Sequence, residues 1–252
     1  MNKLAYKTNP ITSAIFKINF PKILEINEKN PPYKFQNEIK KEYPEVIIKP
    51  SYNLNPEGII GLRAEGNENW IFKNKNKNRS IGVSPEHIVM EFLQYDNFDE
   101  FKGEIKDKFS KFIQIYNPEW INRIGLRYIN IVKRDEGDLF DWKGLINENL
   151  IQVEEFIESK NNIIRSVHEI ELKHEDYRFR FRFGIFNNDY PADLIKKEFI
   201  LDYDCFILDE LKITEIYKKL DEFHDITHDW FEKSITDKLR RSMDEQTKNT
   251  SD

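Results

Sequence analysis

The stretch Arg123-Ile-Gly-Leu-Arg-Tyr-Ile-Asn130 decides how this chain is read. Side chains of a strand alternate between two faces, so Ile124, Leu126, Tyr128 and Asn130 share one face and Arg123, Gly125 and Arg127 the other. The first face is apolar enough to be buried, and Tyr128 and Asn130 then need internal hydrogen-bond partners. The second sets two guanidinium forks around a residue with no side chain. That leaves a recess able to hold a phosphate, carboxylate or nucleotide through charge-assisted bidentate bonds. In the alternative, both arginines pair with carboxylates of neighbouring strands and Gly125 only lets something pack close to the sheet.

The segment belongs to a strand from Trp120 to Lys133, after Pro118 has closed a first half. That first half opens with Ile11 to Phe20, where Thr12, Ala14, Phe16, Ile18 and Phe20 alternate as in a half-buried strand. Tyr33 to Tyr43 places Tyr33, Phe35, Ile39 and Tyr43 along one helical face, and Pro44 ends it. Short β-rich runs follow at Val46 to Tyr52, Gly58 to Ala64, Asn69 to Lys73, Ser80 to Val83 and His87 to Tyr95. Asn, Gly and Pro turn signals separate them, as in an antiparallel meander. Lys73-Asn-Lys-Asn-Lys-Asn-Arg79 is a solvated hairpin tip whose cations are also placed to touch an anion. From Asn97 to Tyr116, Phe98, Phe101, Ile105, Phe109, Phe112 and Tyr116 recur at spacings of three and four, predicting an amphipathic helix of about five turns.

After the Trp120 to Lys133 strand, the pattern predicts a helix around Phe140 to Leu150, further strands, and a long helix from about Lys212 to Arg241. Both halves thus read strand, helix, antiparallel strands, long helix. The expectation is an α+β chain of two similar halves, residues 1–117 and 118–245, each an antiparallel sheet covered by helices on one face, with a frayed tail over 246–252. Ile18-Asn19-Phe20 and Ile129-Asn130-Ile131 echo each other faintly, and an internal duplication rests mainly on the element order.

A second stripe is more regular. Tyr177-Arg-Phe-Arg-Phe-Arg-Phe183 puts Arg178, Arg180 and Arg182 on one face and its four aromatic rings on the other. Single-stranded nucleic acid is bound by basic and aromatic groups on a common surface, so the split weakens that reading. A hairpin turning around His174 to Asp176 sets Glu171 opposite Arg180 and Glu169 opposite Arg182, while Leu172 meets Phe179 and Ile170 meets Phe181. With Asp202 and Asp204 added from Ile200 to Leu208, the result is a solvent-facing charge ladder over an aromatic core.

Metal chemistry has two weak footholds. His224 and His228 are four apart on one helical face with Asp221 and Asp225 near, but the HExxH glutamate is missing and Leu220, Phe223, Thr227 and Phe231 mark the same surface as core. Glu171-Leu-Lys173 matches the tail of a metal-dependent nuclease motif, for which Asp141 would be the upstream carboxylate. The chain has no GxxxxGK[ST] loop, GxGxxG after a strand or GxSxG elbow, so no cofactor is expected.

Composition narrows the rest. The formal charge of -6 and pI near 5.6 argue against non-specific binding to a phosphate backbone, which runs on surplus lysine and arginine. One cysteine, Cys205, excludes an intrachain disulfide and a thiolate zinc site. No signal-peptide pattern and no membrane-length apolar run is present, so the expectation is a soluble protein of the reducing cytoplasm.

Four blocks, Asn9-Pro-Ile-Thr-Ser-Ala-Ile-Phe-Lys-Ile-Asn-Phe20, Tyr95-Asp-Asn-Phe-Asp-Glu-Phe101, Arg123 to Asn130, and His224 in a late helix, together resemble a sporadically distributed family of uncharacterised bacterial and archaeal proteins. The likeness runs over nearly the whole chain, and Arg-Ile-Gly-Leu-Arg-Tyr-Ile-Asn is its most specific motif. It implies no established activity; scattered occurrence implies a mobile or phage-defence setting. The functional expectation is a non-catalytic binding or interaction protein, with a protein partner or a homo-oligomer and a place in a larger assembly. The alternative is a metal-dependent hydrolase, a phosphodiesterase or nuclease.

Overall fold

Alternation carries the chain into strands, and the strands into a single sheet. A computed structural model describes residues 6–51 and 67–245. In chain order the elements are β1 (Ile11–Asn19), α1 (Tyr33–Ile39), β2 (Glu45–Ser51), β3 (Asn67–Lys73), β4 (Arg79–Ser84), β5 (His87–Phe92) and α2 (Phe98–Tyr116). They continue with β6 (Arg123–Lys133), α3 (Gln152–Phe156), β7 (Ser166–Lys173), β8 (Arg178–Ile185), β9 (Glu198–Ile207), α4 (Ile216–Ser234) and α5 (Asp237–Glu245). The Gly58 to Ala64 run and the tail from 246 lie outside the described residues.

The protein is α+β, and among the described residues nine strands form one antiparallel sheet ordered β2-β3-β4-β5-β1-β6-β9-β8-β7. β1 and β6 pair antiparallel at its centre, Phe16 opposite Leu126 and Lys17 opposite Gly125, so strands from both halves of the sequence share one sheet. Outward from that seam each half runs first strand, last strand, then back through the meander: β1-β5-β4-β3-β2 on one side and β6-β9-β8-β7 on the other. The three-residue echo does not extend to side-chain placement, because Asn19 lies between the inward Ile18 and Phe20 on the outer face, whereas Asn130 is buried on the inner one.

Among the described residues, helices cover one face. Asn97 caps α2 by accepting from Glu100 N, and the αL residue Asn117 ends it before Pro118. The buried stripe of α2 meets the inner face ring to ring, Phe109 on Phe16 and Phe101 on Phe92, while Phe112 meets Phe20 and Phe35 of α1. Each buried phenylalanine contributes about 1.5–3 kcal/mol. In the other half α4 lays Trp230 on Phe179 and Phe181. Among the described residues no helix lies over the far face of the sheet, which carries the outward residues of β6, β8 and β9, as antiparallel sheets allow.

Two predicted elements differ. No helix forms over Phe140 to Leu150: the chain turns at Gly144, whose φ of +76° is left-handed, and only Glu148–Leu150 makes a 3-10 turn before α3. Trp142 holds this loop by packing on Phe199 and under the Arg134 guanidinium. The long terminal helix is broken at Ile235, which is extended and bridges Ile146; Asn147 N donates to Ser234 O and Thr236 N to Leu145 O. The loop thus satisfies backbone groups at the break.

Candidate functional site

On the open face, β7 pairs β8 with Glu171 opposite Arg180 and Glu169 opposite Arg182, and β8 pairs β9 with Arg180 opposite Asp204 and Arg182 opposite Asp202. Arg180 donates twice to Glu171 Oε2 (3.0 and 2.7 Å), and Arg178 Nη1 reaches Glu171 Oε1 at 3.4 Å. Arg182 donates to Glu169 and lies 3.5 Å from Asp202. The stripe is a ladder of ion pairs over the ring stack of Phe181 and Tyr203.

Arg127 is taken by the same ladder. Its Nε and Nη2 donate to the two oxygens of Asp202 at 2.7 and 2.6 Å, and Asp202 is only 2% exposed. Those bonds raise the Arg127 pKa further, so its charge is permanent. The recess expected between Arg123 and Arg127 is filled from within. A Cβ at Gly125 would meet the Arg123 guanidinium at 3.2 Å and Phe206 Cβ at 3.2 Å. Arg123 therefore folds back over Gly125 onto the Phe206 ring, 5.2 Å from its centre, while Arg180 lies 5.6 Å from the same ring. The carboxylate facing Arg123, Asp204, is 3.9 Å away, too far for a hydrogen bond. Burial lowers the pKa of Arg123, and Asp204 offsets this only in part.

On the helix-covered face a cavity of about 590 Å³ opens between the N-terminus of α2 and α4. Tyr95, Tyr128 and Tyr203 are buried around it, with Phe98 and Phe231 as further walls. Tyr95 Oη and Tyr128 Oη are 3.4 Å apart, and Tyr128 Oη is 3.2 Å from His224 Nδ1. The His224 ring stacks flat on Phe98 at 3.7 Å. Burial holds the three tyrosine hydroxyls protonated well above their ordinary range. Asn130 Nδ2 donates to Leu201 O, so both polar residues of the inner β6 face have partners. Exposed Asp96 and Asp99 stand at the rim, and Asp221 there accepts from Lys102 at 2.5 Å. All four blocks that carry the family resemblance reach this cavity, through Asn9, through Tyr95 to Asp99, through Tyr128 with Asn130, and through His224.

The remaining candidates separate. His224 and His228 have ring centres 6.3 Å apart, and among the described residues no three His, Cys, Asp or Glu side chains group as a metal set. Asp141 lies 3.6 Å from Arg134 and Glu171 is bonded to Arg178 and Arg180, so the nuclease-like residues are each held elsewhere. Two of the four hairpin-tip cations also have partners, Lys77 with Glu45 and Arg79 with Glu100. Burial, and then Asp204, push the Cys205 thiol up, away from thiolate chemistry. No helix among the described residues is long and apolar enough to cross a membrane. Sequence reasoning missed Asp96 and Asp99 as rim acids and the convergence of Tyr95 with Tyr128; the blocks were visible, but nothing local joins segments about thirty residues apart.

No protein-family model matches the chain, and no curated protein matches it.

Proposed function

We propose that the chain is a non-catalytic binding module that seats a cationic group of its ligand in the cleft between α2 and α4. One observation carries this reading: the cavity walls are aromatic and its rim is acidic, from Asp96 and Asp99. A cation gains from both, through the negative ring faces of the walls and through the exposed carboxylates at the rim. Tyrosine hydroxyls held protonated suit positioning better than proton transfer near neutrality. The cation is a free organic amine or the Lys or Arg side chain of a protein partner. Service as one subunit of an assembly, in a mobile or phage-defence setting, is part of the same proposal and draws its support from the family resemblance alone.

The test is an NMR titration that follows the ring signals of His224 and Phe98. Tetramethylammonium and a lysine-rich peptide should give saturable shifts that vanish in an Asp96→Asn/Asp99→Asn double variant. A neutral isostere, tert-butyl alcohol, should leave the signals in place. Signals that stay fixed with the cations, or move equally with the neutral probe, would refute the reading.

A further inference from the structure

The open face holds a second constellation, at the seam where the two halves meet. Asn19 of β1 lies directly between His87 of β5 and Arg123 of β6, and Lys17 follows two residues along, between Val89 and Gly125. Two-residue spacing keeps Lys17 and Asn19 on one face, so an ammonium, a guanidinium and an imidazole share that face around Asn19. Lys17 has no carboxylate within 4.0 Å among the described residues, and the Arg123 guanidinium has only Asp204 at 3.9 Å. Both cations are partly buried, and each is depressed in pKa, first by burial; for Lys17 the next cause is Arg123 itself.

His87 is set up as a neutral donor. Ser84 Oγ accepts from two backbone amides, Glu86 N and His87 N, at 3.1 Å each, so its own proton goes to His87 Nδ1 at 2.8 Å. That fixes the tautomer with the proton on Nε2. The imidazole pKa is pushed down to about 4 by burial, then by Lys17 of β1 and Arg123 of β6. Asn19 Oδ1, in the middle of the row, is buried without a hydrogen-bond partner among the described residues.

Two like charges brought together and partly desolvated, with no carboxylate nearer than Asp204 at 3.9 Å from the guanidinium, are costly in the empty protein, and an anion relieves the cost. A monocarboxylate would offset one charge. A dianion matches both, and a tetrahedral one offers separate oxygens to the ammonium, the guanidinium and the Nε2–H, while a hydroxyl beside it can donate to Asn19 Oδ1. We propose that Lys17, Arg123 and His87 form a subsite for a phosphate monoester dianion on the open face of the sheet, independent of the cation cleft on the other side.

The experiment titrates the full chain at pH 7 with inorganic phosphate and with phenyl phosphate, following the His87 ring protons by NMR. Saturable shifts are expected, with the His87 titration midpoint raised by about one unit or more in the complex. Lys17→Met and Arg123→Gln should each weaken phenyl phosphate binding by about tenfold or more. Lys133→Gln, at the far end of β6, should leave it within about twofold. Circular dichroism checks that each variant folds, and the His87 signals of the unaltered protein test the proposal without any variant. A linear response that sodium chloride reproduces, equal weakening by Lys133→Gln, or equal binding of a single-stranded oligonucleotide without terminal phosphate would each overturn it. The reporters lie on opposite faces, so failure at His87 is distinguishable from failure at His224.

Discussion

The two sides of the open sheet face meet the same electrostatic problem in different ways. Across β6, β9, β8 and β7, Arg127, Arg180 and Arg182 each have a carboxylate in hydrogen-bonding reach. At the β5–β1–β6 seam, Lys17, His87 and Arg123 gather with none that close. Arg123 and Arg127 show why, being the same residue type four apart on one strand. Arg127 lies opposite Asp204 with Asp202 on the diagonal, whereas Arg123 stands one residue beyond the last β6–β9 pair, Ile124 with Ile207. A charge ladder needs acid and base in phase on adjacent strands. β7, β8 and β9 supply that phase. β1 does not, because the neighbours of Lys17 are valine and glycine.

The largest effect should come from breaking the ladder at its deepest acid. Asp202→Ala leaves the half-buried Arg127 guanidinium without its bidentate partner, and should cost about 3 kcal/mol or more. Urea unfolding reads this as a lowered midpoint at unchanged m-value. A cost below about 1 kcal/mol would mean that the ladder is screened like an ordinary surface pair, and the contrast with the seam would disappear.

Next in size is an acid effect at the seam. The folded His87 pKa of about 4 lies below the ordinary 6.5, so between those values the unfolded chain binds more protons than the folded one. This group therefore subtracts stability as pH falls from 6.5 towards 4 and leaves it unchanged above. The loss should reach about 2–3 kcal/mol near pH 4. Unfolding curves at pH 7, 5.5 and 4.5 should show that slope flattened in His87→Gln. Parallel curves for the two proteins would show that His87 charges as easily folded as unfolded.

Where the sequence was legible, one local constraint set the phase. The turn at His174 to Asp176 fixes the β7–β8 register, so Glu171 with Arg180 and Ile170 with Phe181 follow from alternation. The α2 stripe likewise follows from spacing within one helix. The Asp202 that takes Arg127 was not legible as its partner, because β6 and β9 are about seventy residues apart and no turn sets their register. The Lys17, Arg123 and His87 group is the same case: three strands must be in place before the side chains meet. The helix expected over Phe140 to Leu150 failed for another reason, since Gly144 and the packing of Trp142 on Phe199 outweigh the apolar spacing.

Smaller effects test the two sides against each other directly. Glu171→Gln removes a mostly solvent-facing acid from a ladder in which Arg180 still faces Asp204, and should cost about 0.2–1 kcal/mol. Lys17→Met should act in the opposite direction. Methionine keeps the apolar stem and removes an ammonium that burial and Arg123 disfavour, so stability at pH 7 should hold or rise by about 0.5 kcal/mol, while phosphate binding falls. A functional site kept at some expense of stability has this signature, gain of fold and loss of ligand in one substitution. If Lys17→Met instead destabilised the chain by more than about 1 kcal/mol, the ammonium would have a stabilising partner in the empty protein. The seam would then be a second ladder, and its claim on a dianion would go with the contrast.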